Sequence, residues 1–343
     1  MTTINLLNMI KNLYLPLILF GAALLFASCQ DLKEDSRESG SREQVILSVC
    51  AELRQTKGAF AQVNDSKIDS IQVFIFTSDG ILESSRRMRA SSLEISCIPG
   101  NKIIWVLANA PELSLETGAL ESVLTGSALY LKDNAFSSLM MTGRAEVEIS
   151  EDGPLNVSVD RLPALVRFGS VKTDFTGSYL EGCSFVVKDV YLRNVMGESR
   201  VRGVFNPEAG SLWYNKITDE QNAEADALIG DKSLNRAVAD GSEEAFGLAY
   251  LVFPNSVAED DESPVWSVRR THLVVHATID GEDTYYPIVL PVIARNRIYN
   301  VKTVTLTMAG NPNPEDPPIS TAGLSLNISI APWEDEDEIT YTL

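Results

Sequence analysis

The chain has 343 residues, with 28 lysines and arginines against 47 aspartates and glutamates, and its formal net charge is −19. This balance excludes nucleic acid as a partner, because neutralising phosphates requires a basic face that the composition cannot build. The 45% of hydrophobic residues can form a real core, while two histidines and four cysteines leave little material for a zinc enzyme or a disulfide scaffold. At roughly 150 residues per domain, the length indicates about two domains.

Residues 1–28 have the pattern of a secretory signal peptide. Lys11 precedes an apolar run from Leu13 to Phe26, and two small residues then lead to Cys29. The segment Phe26-Ala27-Ser28-Cys29 resembles a lipobox, although that motif prefers leucine where Phe26 stands. By this resemblance Cys29 becomes a lipidated amino terminus in the outer membrane. The alternative is an ordinary signal peptide followed by a chance cysteine.

Residues 29–44 are polar and show no apolar periodicity, so they are predicted to be a tether. The acids directly after Cys29 resemble the export signal of surface lipoproteins in Bacteroidota. If Cys29 carries the lipid, three cysteines remain, and each lies in an apolar run, where a thiol packs as a small buried hydrophobic group. We expect no disulfide among Cys50, Cys97 and Cys183.

From Val45 the dominant period is two, which is typical of a strand with one buried face. The run Ile103–Leu107 is apolar throughout and predicts a strand buried on both sides. Before that run, a strand over residues 71–76 ends at a turn through Gly80. After it, Pro111–Gly126 is the best helical stretch, and Gly153-Pro154 predicts a hairpin turn. The second half repeats the strand pattern at Leu165–Val171, Phe185–Leu192, Ala249–Phe253, His272–Ile279, Tyr285–Ile293, Tyr299–Met308 and 324–330.

Short strands separated by Gly, Pro and Asn turns favour β-sandwiches. Asp280-Gly281 is a hairpin signal, and Asn215–Gly241 looks like a long irregular insertion. A boundary at Arg161-Leu162-Pro163 would divide the mature chain into domains 45–163 and 164–343.

Chemistry-bearing motifs are scarce. His272 and His276 would lie about 13 Å apart along one strand, too far for a single metal, and are expected to be solvated surface residues. No phosphate loop or hydrolase motif occurs, and the acidic run 334–338 lacks the spacing of a calcium loop. The sequence therefore predicts no enzyme, no cofactor, no metal and no catalytic residue.

An ordered set of segments resembles the fimbrillins, the pilus subunits of Bacteroidales type V pili. It comprises Trp105–Asn109, Arg161–Phe168, Val190–Asn194, Tyr250–Asn255, Thr284–Ile288, Arg295–Val301, Thr305–Pro314 and a last strand ending at Trp333. The resemblance implies an all-β fold of two tandem transthyretin-like β-sandwich domains. It also implies a surface fimbria as location, other fimbrial subunits as partners, and adhesion to host or bacterial surface ligands.

In such subunits a protease cuts after the first strand, and a strand from a neighbour fills the vacated groove. The resemblance makes Val45–Leu53 the displaced strand, with Val45, Leu47, Val49, Ala51 and Leu53 on its inner face. The donor would come from two groups with period-two spacing, namely Leu324, Leu326, Ile328 and Ile330, then Ile339, Tyr341 and Leu343. The alternative for Ile339–Leu343 is a final edge strand.

The expected cleavage residue departs from the family pattern. The family cuts after Arg before a small residue, whereas aligning Gly58-Ala59-Phe60 places Lys57 there, with Arg54 three residues upstream. Either is a candidate for a trypsin-like protease, and both are otherwise ordinary loop charges. An uncleaved chain would remain a lipid-anchored anchor or tip protein.

A rival hypothesis is a surface glycan-binding lipoprotein, which would expose aromatic side chains on a binding face. Only Trp213, Tyr214 and Trp266 are candidates for that face, and buried packing is expected for them instead. A glycoside hydrolase is a more distant hypothesis, because nothing selects two carboxylates among 47 acids.

Overall fold

A computed structural model describes residues 44–53, 66–203, 206–216, 229–231, 233–260, 266–313, 324–333 and 339–342. Within these ranges the chain is built almost wholly of β-strands, which confirms the predicted all-β class. Apart from one α-helix and one 3-10 turn, the regular elements assigned within these ranges are β-strands.

The first half contains eight strands, the helix α1 (Glu121–Gly126) and the 3-10 turn Leu131–Asp133. The strands are β1 (Val45–Leu53), β2 (Ile71–Thr77), β3 (Leu82–Met88), β4 (Ser92–Cys97), β5 (Gly100–Ala108), β6 (Ala128–Tyr130), β7 (Met141–Ile149) and β8 (Gly153–Arg161). Seven of them form a sheet in the order β3-β2-β5-β7-β8-β1-β4. The apolar run Ile103–Leu107 lies in β5 and is buried on both faces, as predicted.

The seven-stranded sheet is nearly interrupted between β7 and β8. These strands pair only at Met141–Arg161 and Thr142–Asp160, at the end away from the connecting turn. The predicted close hairpin across Gly153-Pro154 is therefore wrong. Both residues begin β8, whose first part pairs in parallel with β1 instead, so its backbone groups are satisfied by a strand from the start of the chain.

The helix is shorter than predicted, because only Glu121–Gly126 is helical. The preceding residues bond to neighbouring strands, apart from one turn in which the Ala119 N–H donates to the Glu116 carbonyl at 3.0 Å. The Gln72 amide donates to the Leu113 carbonyl at 2.7 Å and its oxygen accepts from the Leu113 N–H, while Gly118 N–H donates to the Leu82 carbonyl. No helix in the described ranges is long and apolar enough to cross a membrane.

The second half contains thirteen strands. They are β9 (Ala164–Thr173), β10 (Phe185–Arg193), β11 (Val195–Met196), β12 (Glu198–Arg200), β13 (Trp213–Tyr214), β14 (Gly230–Asp231), β15 (Arg236–Ala237), β16 (Glu243–Val252), β17 (His272–Ile279), β18 (Glu282–Val289), β19 (Arg297–Leu306), β20 (Leu324–Pro332) and β21 (Ile339–Thr342). One sheet has the order β14-β10-β17-β18, with β15 also on β10, and another has the order β16-β9-β19-β20-β21.

The predicted hairpin at Asp280-Gly281 is present between β17 and β18. Both turn residues have positive φ, 50° and 92°, a conformation that glycine and aspartate tolerate at this position. The segment Asn215–Gly241 is less irregular than expected, since its described part includes β14 and β15 on the edge of β10.

The junction between the two halves is tightly packed. Arg161 is fully buried, and its carbonyl accepts from Arg295 Nε at 3.1 Å, while Arg295 Nη2 donates to the Asp160 carbonyl at 2.6 Å. A second connection is the pairing of β6 with β12, which joins strands from either side of the junction. The division into domains 45–163 and 164–343 stays a prediction.

Candidate functional site

The predicted displaced strand, β1, is an interior strand. It pairs antiparallel with β4 from Val45–Cys97 to Cys50–Ser92, and parallel with β8 from Leu47–Gly153 to Leu53–Val159. Both of its backbone edges are therefore occupied. Removing β1 would leave β4 and β8 each with an unpaired edge, which is a template for another strand.

The inner face of β1 is the apolar stripe that its sequence predicts. Val45, Leu47, Val49 and Ala51 are buried and Leu53 is half-buried, whereas the intervening Ile46 is 50% exposed. Directly across from Leu47 and Val49 on β4 lie Ile95 and Leu93, which are themselves buried. Without β1 these side chains would line an open apolar groove.

Two contacts beyond the strand ladder hold the ends of β1. The Ile46 N–H donates to Asp152 Oδ1 at 2.7 Å, at the start of the strand. Near the other end, the Ala51 N–H donates to the Ser91 carbonyl at 3.1 Å, in the turn before β4. The strand is thus fixed over its whole length before any cleavage.

Three predicted site residues lie outside the described ranges. They are the lipidation candidate Cys29 and the cleavage candidates Arg54 and Lys57. The two cleavage candidates belong to the segment 54–65 that connects β1 to Ser66, just before β2. A cut at either residue would separate the backbone of β1 from the rest of the chain.

The two predicted donor segments occupy different positions in one sheet. Leu324, Leu326, Ile328 and Ile330 belong to β20, which lies between β19 and β21. Ile339 and Tyr341 belong to β21, which is the outermost strand and pairs only with β20, from Ile330–Ile339 to Asn327–Thr342. Leu343 lies outside the described ranges, and β1 and β21 belong to different sheets.

Trp333 anchors the end of β20 at the junction of the two halves. The Arg161 guanidinium lies 5.0 Å from the centre of the Trp333 ring, and the Trp333 N–H donates to the Asn296 carbonyl at 3.2 Å. Trp333 is buried. The chain before residue 334 is therefore held by contacts that do not involve β21.

The histidines are not solvated surface residues, and that expectation is wrong. His272 is buried with Nε2 3.1 Å from Asp260 Oδ2, and His276 lies between Asp189 Oδ2 at 2.8 Å and Asp283 Oδ1 at 2.9 Å. The partners come from other strands and loops, which the strand alternation alone did not reveal. In the described residues no group of three potential ligands is arranged to hold a metal.

The carboxyl of Asp260 is shifted by opposing effects. Burial alone would raise its pKa, but hydrogen bonds from His272 and from the Arg270 N–H, together with the charges of both residues, lower the pKa below its ordinary value of 3.8. Asp260 Oδ2 also lies 3.7 Å from Arg270 Nε, so the carboxyl joins the two basic side chains in one polar cluster.

The aromatic residues of the glycan-binding hypothesis do not form an exposed face. Trp213 is 3% exposed and Tyr214 1%, which confirms the expected buried packing for both. Trp266 is half-buried, and its ring meets Trp213 edge-on with the ring centres 5.7 Å apart. A stacking platform for sugar rings is therefore absent from these three residues.

The three cysteines of the described part are reduced, as expected. Cys97 is buried at the end of β4, where it pairs with Val45 of β1, while Cys50 and Cys183 are half-buried, so only one of the three is a fully buried hydrophobe. Burial and the nearby Glu83 carboxylate raise the pKa of the Cys97 thiol, which favours its protonated form.

No protein-family model matches the chain. It is 22% identical to the major fimbrium subunit FimA type-2 of Porphyromonas gingivalis, over 91% of this chain and 95% of that protein. A solved fimbrilin from the same organism aligns with a TM-score of 0.59 at 16% identity, over 84% of this chain and 98% of the fimbrilin. The tip fimbrial protein Mfa3 aligns with a TM-score of 0.52 at 12% identity, over 85% of this chain and all of the solved one. Over most of its length the chain is thus similar to a major fimbrium subunit and shares the fold of a solved fimbrilin, which confirms its resemblance to the fimbrillin family.

Proposed function

We propose that the chain is a structural subunit of a surface fimbria, assembled by exchanging β1 for a strand of a neighbouring subunit. The observation that carries the proposal is the position of β1, which is interior in its sheet yet joined to the rest of the chain only through the segment 54–65. Its similarity to a major fimbrium subunit supports the same role. In this role the chain has no catalytic function.

The proposed route begins at the outer membrane. Cys29 carries the lipid, residues 30–44 tether the folded subunit, and the domains 45–163 and 164–343 stand at the cell surface. A trypsin-like protease then cuts after Arg54 or Lys57. The cut turns an intramolecular contact into a dissociable one, so that β1 loses the high effective concentration that kept it in place.

The vacated groove selects its replacement by shape and by hydrogen bonding. The edges of β4 and β8 offer ladder hydrogen bonds, and pockets two residues apart accept alternate apolar side chains. Ile339, Tyr341 and Leu343 have that spacing. The result is a chain of subunits in which each donates its end to the next, with other fimbrial subunits as partners and adhesion as the outcome.

Of the two donor candidates, β21 detaches at lower cost. It pairs with one neighbour through four residues, whereas β20 is paired on both sides and ends at the buried Trp333. We therefore assign the donor role first to Ile339–Leu343 and only second to Leu324–Ile330.

The experiment treats the full chain with a small amount of trypsin and follows oligomers that survive heating in detergent. Wild type should lose the residues up to Arg54 or Lys57 and form such oligomers. The double variant Arg54→Gln/Lys57→Gln should keep β1 and remain monomeric. Lys67→Gln is the matched control, because Lys67 is half exposed just beyond the same segment and should not affect assembly.

Two results would reject the proposal. One is a wild-type chain that is cut in segment 54–65 and still fails to oligomerise. The other is a double variant that oligomerises like wild type. A double variant that persists on cells as a lipidated monomer, alongside a wild type that does the same, would favour the uncleaved anchor or tip protein.

A further inference from the structure

β4 is the outer strand of the sheet that contains β1. Among the described strands it pairs with β1 alone, whereas β8, on the other side of β1, also pairs with β7. Once β1 has left, β4 is therefore the wall of the groove that keeps no strand ladder. Its buried Leu93 and Ile95 still pack in the core, but apolar contacts have no direction and do not fix the position of a backbone edge.

The backbone groups of β4 alternate between its two edges. The Ala51 N–H of β1 donates to the Ser91 carbonyl, so Ser91 and the odd-numbered residues that follow it direct their backbone groups toward β1. Because the direction alternates along an antiparallel strand, the groups of Glu94, Ser96 and Ile98 point to the opposite edge. No strand pairs with that outer edge in the described part of the chain.

Side chains of β3 occupy this outer edge instead of a strand. Ser84 Oγ donates to the Ser96 carbonyl at 3.0 Å, and Arg86 Nη1 donates to the Glu94 carbonyl at 2.7 Å. The two donors are two residues apart on β3, and so are the two carbonyls on β4. The match in spacing holds β4 at one position along β3.

Glu83 reaches the same edge through a β-bulge. The pairing of β2 with β3 shifts by one residue there, and such a bulge re-aims a side chain. The Glu83 carboxylate accepts from the Ile98 N–H and also pairs with Lys102, which is buried. Three successive outward groups of β4 thus each have a partner among the side chains of β3.

We propose that Glu83, Ser84 and Arg86 are positioning residues of the acceptor groove, which hold β4 in place after β1 has left and before a neighbour's tail arrives. The inference rests on the proposed strand exchange. Before the cut, a displaced β4 would also lose its ladder with β1, so the side-chain bonds add little. In the vacated groove, a tail can bind only the fraction of molecules in which β4 is in place, and its apparent affinity falls with that fraction.

The test uses full chains cut to completion by trypsin and measures how fast heat-resistant oligomers form. The variant Ser84→Ala/Arg86→Met removes both donors and keeps the aliphatic stem of the arginine. Glu83 is left unchanged, because its loss would also unpair the buried Lys102. We expect oligomers to form about tenfold more slowly, the factor given by the loss of two hydrogen bonds of ordinary strength. The uncut variant should keep the urea midpoint of wild type.

Two further variants separate positioning from a general effect of substitution. Ser85→Ala/Arg89→Met makes the same changes at exposed residues that have no hydrogen bond to β4 among the described residues, and it should assemble at the wild-type rate. Ser84→Thr/Arg86→Lys keeps a donor at each position and should recover most of that rate.

Hydrogen exchange of β4 in the cut chain, freed of β1, gives a readout that does not require assembly. Exchange should be about tenfold faster in Ser84→Ala/Arg86→Met than in wild type. Equal exchange in the two proteins would overturn the inference, and so would equal assembly rates or an equally large loss of stability in the uncut variant. A wild type that is cut and fails to oligomerise would reject strand exchange itself, and the exchange measurement would still decide whether β3 holds β4.

Discussion

The first and last described strands, β1 and β21, are held very differently. β1 is paired on both sides, by six residues to β4 and by seven to β8, and buries Leu47 and Val49 almost completely. β21 lies at the edge of its sheet and is paired by four residues to β20 alone. β1 fills an apolar groove and is paired along both edges, whereas β21 is paired along a single edge.

This difference gives strand exchange a direction. Moving an apolar segment from an edge into an interior position adds a second ladder of hydrogen bonds and buries one of its faces. The reverse move would open the groove and expose apolar side chains. In the proposed assembly, replacement by a neighbour's β21 would therefore be favoured once β1 is cut free, whereas the uncut β1 would stay in place.

The largest expected effect is the loss of oligomers when the apolar side chains of the tail are replaced. Replacing Ile339, Tyr341 and Leu343 with serine should abolish the oligomers, because the groove then receives no apolar side chains. The matched variant Thr340→Ser/Thr342→Ser alters the intervening positions and should assemble normally. In both monomers the free energy of unfolding should change by no more than about 1–2 kcal/mol, since β21 has one neighbour. Denaturant unfolding and detergent gels provide the two measurements.

The next effect concerns β1 itself. Leu47→Ala should destabilise the uncut chain by about 2–5 kcal/mol, because it leaves a cavity under a residue that is 2% exposed. Ile46→Ala, at the adjacent position that is 50% exposed, should change stability by less than about 0.5 kcal/mol. After assembly the two variants should be equally stable, because neither residue is still present. A lasting deficit of Leu47→Ala in the oligomer would show that β1 stays in its groove.

The smallest effect is a pH dependence around Asp260, which belongs to neither β1 nor the proposed donor strands. The pKa of Asp260 is lowered in the folded state, so its stabilisation is present above the ordinary value of 3.8 and is lost as the pH falls through the lowered pKa. Urea unfolding should show wild type more stable than Asp260→Asn at pH 6, by about 1 kcal/mol or less, with the gap closing as the pH falls below 3.8 and through the lowered pKa. The gap should be the same in monomer and oligomer. A gap that changed on assembly would mean that this region also rearranges.

Much of the fold could be predicted from the period-two alternation of apolar residues and from the turn sequences. The alternation from Val45, the apolar run in β5 and the Asp280-Gly281 turn each determine a local structure by themselves. The strands β3 and β4 were missed, because β3 carries the polar run Glu83–Arg87 and β4 shows only two or three apolar residues. Their strand character comes from pairing with β2 and β1, which is not a local property.

The same distinction between local sequence signals and long-range contacts applies to the candidate sites. The buried stripe of β1 follows from its own alternation, but its parallel pairing with β8, about a hundred residues away in the chain, has no local signal. Of the carboxylates beside the histidines, Asp189 comes from a strand 87 residues before His276, while Asp283 lies across the β17–β18 hairpin and Asp260 in the loop before β17. The resemblance to the fimbrillins therefore gave the strand expected to be exchanged, its alternation predicted the buried face, and only the three-dimensional arrangement revealed the partners of the histidines.

The most direct test of the account is the amino-terminal residue of the protein recovered from assembled fimbriae. The account predicts Gln55 or Gly58, with Val45–Leu53 absent from the polymer. Lipidated Cys29 in polymerised protein would contradict it, because β1 would then still be covalently attached to the subunit.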